Sequence, residues 1–127
     1  MTGDARAVLD GFLAAFTAAD VEGILDLFWP DALVWGTTMI GLATGPEAVH
    51  AYFAPVGRRA PGERAARWSS GTSLAVSDTV ALISGAWTVG PGVGADGTVL
   101  PLRLSLTLLC RDGAWRIAAF HSSPMPG

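Results

Sequence analysis

The stretch TVLPLRLSLTLLCRDGAWRIAAFHSS, residues 98–123, decides how this chain folds. In its first half Leu102, Leu104, Leu106, Leu108 and Cys110 fall on one face, while Arg103, Ser105 and Thr107 fall on the other. That two-residue period is the mark of a strand with one face turned to a core. Arg111-Asp112-Gly113 reads as a tight turn, and AWRIAAFHSS (114–123) as the returning strand of a long hairpin. Strict alternation along the return groups Trp115, Ile117, Ala119, His121 and Ser123. His121 is therefore expected on the core-facing side, where an apolar strand turns polar.

Working backwards, SSGTSLAV (69–76) and TVALISGAWTV (79–89) flank Ser77-Asp78 as a second hairpin, and GPGVGADG (90–97) is a glycine-rich loop. Earlier still the period lengthens to that of helices. DARAVLDGFLAAFTAAD (4–20) carries a stripe of Val8, Leu9, Phe12, Leu13 and Phe16. Asp20 has the position of an N-cap for a short helix, VEGILDLF (21–28), which Pro30 and Asp31 are expected to stop. ALVWGTT (32–38) reads as a strand, and Thr44 with Glu47 as a capping box opening a third helix, PEAVHAYF (46–53). Its apolar stripe is Val49, Tyr52 and Phe53, with His50 at the flank. Helices first and an antiparallel meander afterwards predict an α+β fold, with the helices on one face of the sheet. No repeat or linker divides the chain, so residues 1–127 read as a single domain.

Composition narrows the chemistry. The net charge is −3, which provides no footprint for nucleic acid. No apolar run is long enough to span a membrane, and the start lacks the pattern of a secretory signal, so the chain reads as soluble and cytoplasmic. The single cysteine, Cys110, excludes an internal disulfide, and two histidines at unrelated positions do not make a metal site. There is no lysine, asparagine or glutamine, which removes Schiff-base chemistry and side-chain amides at an oxyanion hole. Among the eleven carboxylates, Asp20, Asp31, Asp78, Asp96 and Asp112 sit at caps or turns and none falls inside a predicted strand. A buried Asp or Glu base is therefore not expected. GRRAPGERAARW (57–68) gathers Arg58, Arg59, Arg64 and Arg67 in what reads as a solvated loop, with an anionic ligand or partner as the alternative.

FLAAFTAADVEGILDLFWPDALVWGTTMIG (12–41), the helix GPEAVHAYF (45–53) and the ending DGAWRIAAFHSSPMP (112–126) resemble the nuclear transport factor two-like superfamily, closest to its SnoaL-like and calmodulin-dependent kinase association-domain branches. The resemblance implies a cone-shaped cystatin-like fold. In it a curved, mixed but mostly antiparallel sheet wraps a long N-terminal helix and leaves a pocket at the open end, beside two shorter helices. In the ketosteroid isomerase branch a strand aspartate moves the proton, while a tyrosine and a protonated aspartate hold the enolate oxygen. Matching this chain to that branch puts Gly36, Phe12 and Leu106 at those three positions. Steroid-isomerase chemistry is thereby excluded, and epoxide hydrolysis or SnoaL-type cyclisation lacks its interior acids.

What the resemblance implies instead is an apolar, aromatic pocket for an apolar or aromatic small molecule, with no cofactor. Its candidate lining is Phe12, Phe16, Trp35, Tyr52, Trp87, Leu106, Trp115 and Ser123. His121 is the candidate general acid/base of a cyclase, isomerase or dehydratase-type reaction, or a ligand contact. Whether the domain is catalytic stays open on the sequence. The alternative is a non-catalytic accessory domain that forms a homodimer through the outer sheet face around Arg103, Ser105 and Thr107.

Overall fold

The computed structural model describes residues 2–126. Helix α1 (Thr2–Thr17) and the short α2 (Val21–Leu25) are followed by strand β1 (Phe28–Trp35) and a two-residue strand β2 (Ala43–Thr44). Helix α3 (Pro46–Phe53) runs into a 3₁₀ turn at Ala54–Arg58, and four long strands complete the chain. These are β3 (Arg64–Ser77), β4 (Val80–Pro91), β5 (Leu100–Arg111) and β6 (Ala114–Pro124). All six strands join one sheet in the order β2-β1-β6-β5-β4-β3. Only β1 and β6 run parallel; every other neighbouring pair is antiparallel. The sheet is curved and unclosed, with the three helices against its concave side, so the fold is the α+β cone the sequence predicts.

The concave side holds the core because the alternation of β4 and β5 is strict. Ala81, Ile83, Trp87 and Val89 on β4, and Leu102, Leu104, Leu106 and Leu108 on β5, are all buried. Leu82, Ser84, Arg103 and Ser105 turn outward. From α1, Ala5, Val8, Leu9, Phe12 and Phe16 fill the concavity, the stripe expected of an amphipathic helix. Phe12 is fully enclosed, its ring centroid 5.3–6.0 Å from those of Phe16, Phe53, Trp87 and Phe120. The apolar residues of α3 close the side, with Val49 and Phe53 buried and His50 exposed.

Two glycines face one another across β3 and β4. Gly71 and Gly85 are cross-strand partners on β3 and β4, next to a register shift between Trp68 and Ser70. The Trp68 ring covers both, and a β-carbon on either would meet backbone atoms of the other strand. Side chains are missing there because the two backbones and an indole use the space.

Local signals and structure agree at one place and differ at two. Asp20 does cap α2, accepting from Gly23 N at 3.0 Å. Pro30 and Asp31 do not precede the first strand but lie within it. Proline is tolerated because β1 loses register with β6 between Phe28 and Leu33, where no ladder bond is required of it. Asp31 instead takes two hydrogen bonds from Arg111, at 2.8 and 3.1 Å. Those bonds hold its carboxyl below the ordinary aspartate value. Thr44 does not cap α3, because β2 pairs it with Leu33; Gly45, at a φ of 87°, takes the N-cap position without a side-chain bond.

Candidate functional site

The register of β6 settles which groups reach the inside of the cone. Thr107 pairs with Ala119, but the next β5 residue, Leu108, pairs with Ile117. Ala118 is therefore an extra residue with no partner on β5, a β-bulge. Beyond it the inward positions are Phe120 and Ser122, which are 3% and 2% exposed, not Ala119, His121 and Ser123. The expected inward placement of His121 is corrected for this reason. Its exposed ring lies on the convex face, 6.3 Å from the ring of Trp35, which faces outward too. Ser123 is also on that face, accepting a hydrogen bond from Arg103 Nε at 3.2 Å.

The mouth of the cone holds a cavity of about 230 Å³ between the end of α1, the α3–3₁₀ segment and strands β4–β6. Of the residues expected to line a pocket, Phe16, Tyr52 and Trp87 do so. Phe12 lies one layer below, beneath four rings of the wall. Leu106 and Trp115 pack into the core without reaching the cavity, while Trp35, His121 and Ser123 sit on the other side of the sheet. The rest of the wall is chiefly apolar, with Phe53, Val56, Val89, Leu102 and Phe120.

Its polar groups join the expected Tyr52 and Trp87 to Thr37 and Ser122, which the sequence reading left aside, and to Arg59 from the arginine-rich segment. Trp87 Nε1 donates to Ser122 Oγ at 3.1 Å, and Ser122 Oγ lies 2.7 Å from Thr37 Oγ1. Thr37 also donates its backbone N–H to the Tyr52 hydroxyl, at 3.0 Å. Tyr52 in turn occupies the space beside Gly36, the position matching the isomerase base. Any side chain at Gly36 would run into the Tyr52 ring, so the phenol has taken over that volume. Arg59 follows the 3₁₀ turn and lines the same cavity. Its guanidinium carbon stands 5.1 Å from the centre of the Phe16 ring. Arg59 Nη1 is buried with no hydrogen-bond partner in the protein. Burial, then the neighbouring Arg64 charge, pull the Arg59 pKa below the usual arginine value.

The arginine-rich segment is thus not one solvated loop: Arg59 turns into the cavity and Arg64 already belongs to β3, donating to Val89 O. Arg59 was visible only as one of four clustered arginines. Ser122 gave no signal, because its inward direction depends on the bulge at Ala118. None of the residues lining the cavity is an aspartate, glutamate, histidine or cysteine. Among the described residues no three such side chains gather as a metal site, and no helix is long and apolar enough to cross a membrane.

A helix-lined cone with a mouth cavity is the architecture of cystatin-like α+β domains. The SnoaL-like domain model matches residues 5–126, and the chain belongs to that family. Solved structures agree on the fold. A calcium/calmodulin dependent protein kinase II association domain from Xanthomonas campestris superposes with a TM-score of 0.83 at 23% identity, over 96% of this chain and 86% of that one. A protein with a cystatin-like fold from Caulobacter vibrioides gives 0.82 at 17% identity, over 98% and 89%. A scytalone dehydratase homologue from Novosphingobium aromaticivorans gives 0.82 at 16% identity, over 98% and 84%. At these identities the likeness is one of fold. No curated protein matches the sequence.

Proposed function

We propose that this domain binds a small, largely apolar molecule in the mouth of its cone. The observation that carries the reading is the cavity itself, walled by Phe16, Trp87, Leu102 and Phe120, with polar groups supplied by Thr37, Tyr52 and Arg59. Apolar walls with a few placed polar groups are the usual make-up of a small-molecule site. At about 230 Å³ it lies below the ~300–1,000 Å³ of typical drug-sized pockets, so it suits a compact ligand. A general base inside the cone is not part of this reading, since the wall offers hydroxyls and a guanidinium but no carboxylate or imidazole. The groups there that can donate a hydrogen bond to a bound carbonyl include the Tyr52 and Thr37 hydroxyls and the Arg59 guanidinium.

The test is a thermal-shift screen of apolar fragments on the native chain beside Val89→Phe and Leu102→Phe, which fill the cavity from two strands. Fragments present at about a hundred times Kd are expected to stabilise the native protein by ~2.7 kcal/mol and to leave both filled variants unmoved. Equal shifts in all three proteins would place binding elsewhere.

One observation favours a second reading, association through the convex face. Leu33, Trp35 and Leu42 are 46%, 43% and 46% exposed at one end of the sheet, and Leu82 and Leu74 are exposed on the same face three and four strands further along. A self-complementary face of this kind is how two-fold dimers assemble. Sedimentation of the native chain should give a dimer that Leu82→Glu with Trp35→Glu converts to a monomer. A native monomer at micromolar concentration would end this reading.

A further inference from the structure

We propose that the ligand of the cone is an apolar carboxylic acid, its carboxylate held by Arg59 and the hydroxyls of Thr37 and Tyr52. This rests on the ligand-binding reading above and adds the chemical class. The argument is a count of unused donors. Tyr52 Oη already accepts from Thr37 N, which leaves its own O–H without an assigned acceptor. The indole N–H of Trp87 can only donate, so Ser122 Oγ is an acceptor in that bond. Ser122 is enclosed, and its proton finds an acceptor in Thr37 Oγ1, 2.7 Å away. The reverse orientation would strand a buried hydroxyl proton, which is costly. With Ser122 donating, the Thr37 hydroxyl proton is free, and Thr37 is on the cavity wall. Arg59 Nη1 is a third donor, buried and unpaired.

Three side chains lining the cavity therefore carry donors with no assigned acceptor in the protein, one of these donors fully buried, and no lining residue is an acid or a histidine. The group that satisfies donors without bringing any is an ionised carboxylate, acceptor-only and planar like the guanidinium that meets it. The Phe16 ring, 5.1 Å from the Arg59 guanidinium carbon, adds a cation–π contact that helps hold the guanidinium at the cavity. A phosphate would also accept, but the aromatic and aliphatic wall favours a ligand whose remaining surface is apolar. The cavity volume restricts that remainder to one ring or a short branched chain.

The experiment is titration calorimetry with benzoate, phenylacetate and cyclohexanecarboxylate, each paired with its primary amide, on the native chain, Arg59→Met and Arg59→Gln. The native protein is expected to bind at least one acid about tenfold or more tightly than its amide, the scale of a charge-assisted bond. Both variants should lose that preference, and their circular dichroism and melting temperatures, read beside the native chain, report that they are folded. Amides binding as tightly as acids, or a preference surviving in both Arg59 variants, would overturn the carboxylate class and leave the binding site standing. Acids and amides that all fail to bind the native chain would overturn the class, and a blank fragment screen beside that result would remove the binding site as well.

Discussion

Phe120→Asp is expected to abolish cooperative folding. The bulge at Ala118 lets both halves of β6 keep an apolar face inward, with Ile117 before it and Phe120 and Ser122 after it. Phe120 is 3% exposed and sits in a nest of rings with Phe12, Phe28 and Phe53. Losing a buried phenylalanine costs about 3–5 kcal/mol, and a carboxyl with no partner among those rings adds about 2–7 kcal/mol. The sum approaches the whole stability of a typical domain, about 5–15 kcal/mol. Urea unfolding followed by tryptophan fluorescence checks this. A cooperative transition near the native midpoint would show that position 120 does not face the core.

Phe12→Ala is expected to destabilise the domain by about 3–5 kcal/mol and to lower Tm by about 10–20 °C. The ring is at 0% exposure and meets four others drawn from α1, α3, β4 and β6. No single neighbour can move into the space without giving up its own contacts, so the void persists. A loss below about 1 kcal/mol would mean that the surrounding rings had collapsed onto the gap. Differential scanning calorimetry separates the two outcomes.

Much of the fold was legible because its signals are redundant. Four leucines at alternate positions of β5 can be divided between faces in one way only, and the stripe from Val8 to Phe16 has one helical reading. The return strand is different. Ala118 and Ala119 fit either face, so the alternation of AWRIAAFHSS contains nothing to mark the residue that falls out of step. One unmarked position therefore inverted the expected site, exchanging His121 and Ser123 for Phe120 and Ser122. Thr44 misled for a related reason: its spacing to Glu47 suits a capping box, but its pairing with Leu33 depends on a strand far too short to show a period. The site residues found by type were the bulky aromatics Phe16, Tyr52 and Trp87. Arg59, Thr37 and Ser122 needed three-dimensional placement, since a 3₁₀ turn, a loop and a bulge aim them.

The place of β6 in the sheet has a consequence for how the protein comes into being. The last of the six strands in chain order lies inside the sheet, between β1 and β5. Until Ala114–Pro124 has left the ribosome, β1 and β2 have nothing to join, and the rings of α1 have no Phe120 to close over them. Synthesis would leave α1 able to pack on the growing β3–β5 meander, with β1 and β2 unattached to it until β6 slots between β1 and β5. The parallel pairing of Trp35 with His121 spans most of the chain, and contacts of such long sequence separation slow folding. In such a molecule the newborn domain is most exposed to aggregation just before β6 emerges, and the interval is ended by the same strand whose bulge shapes the cavity.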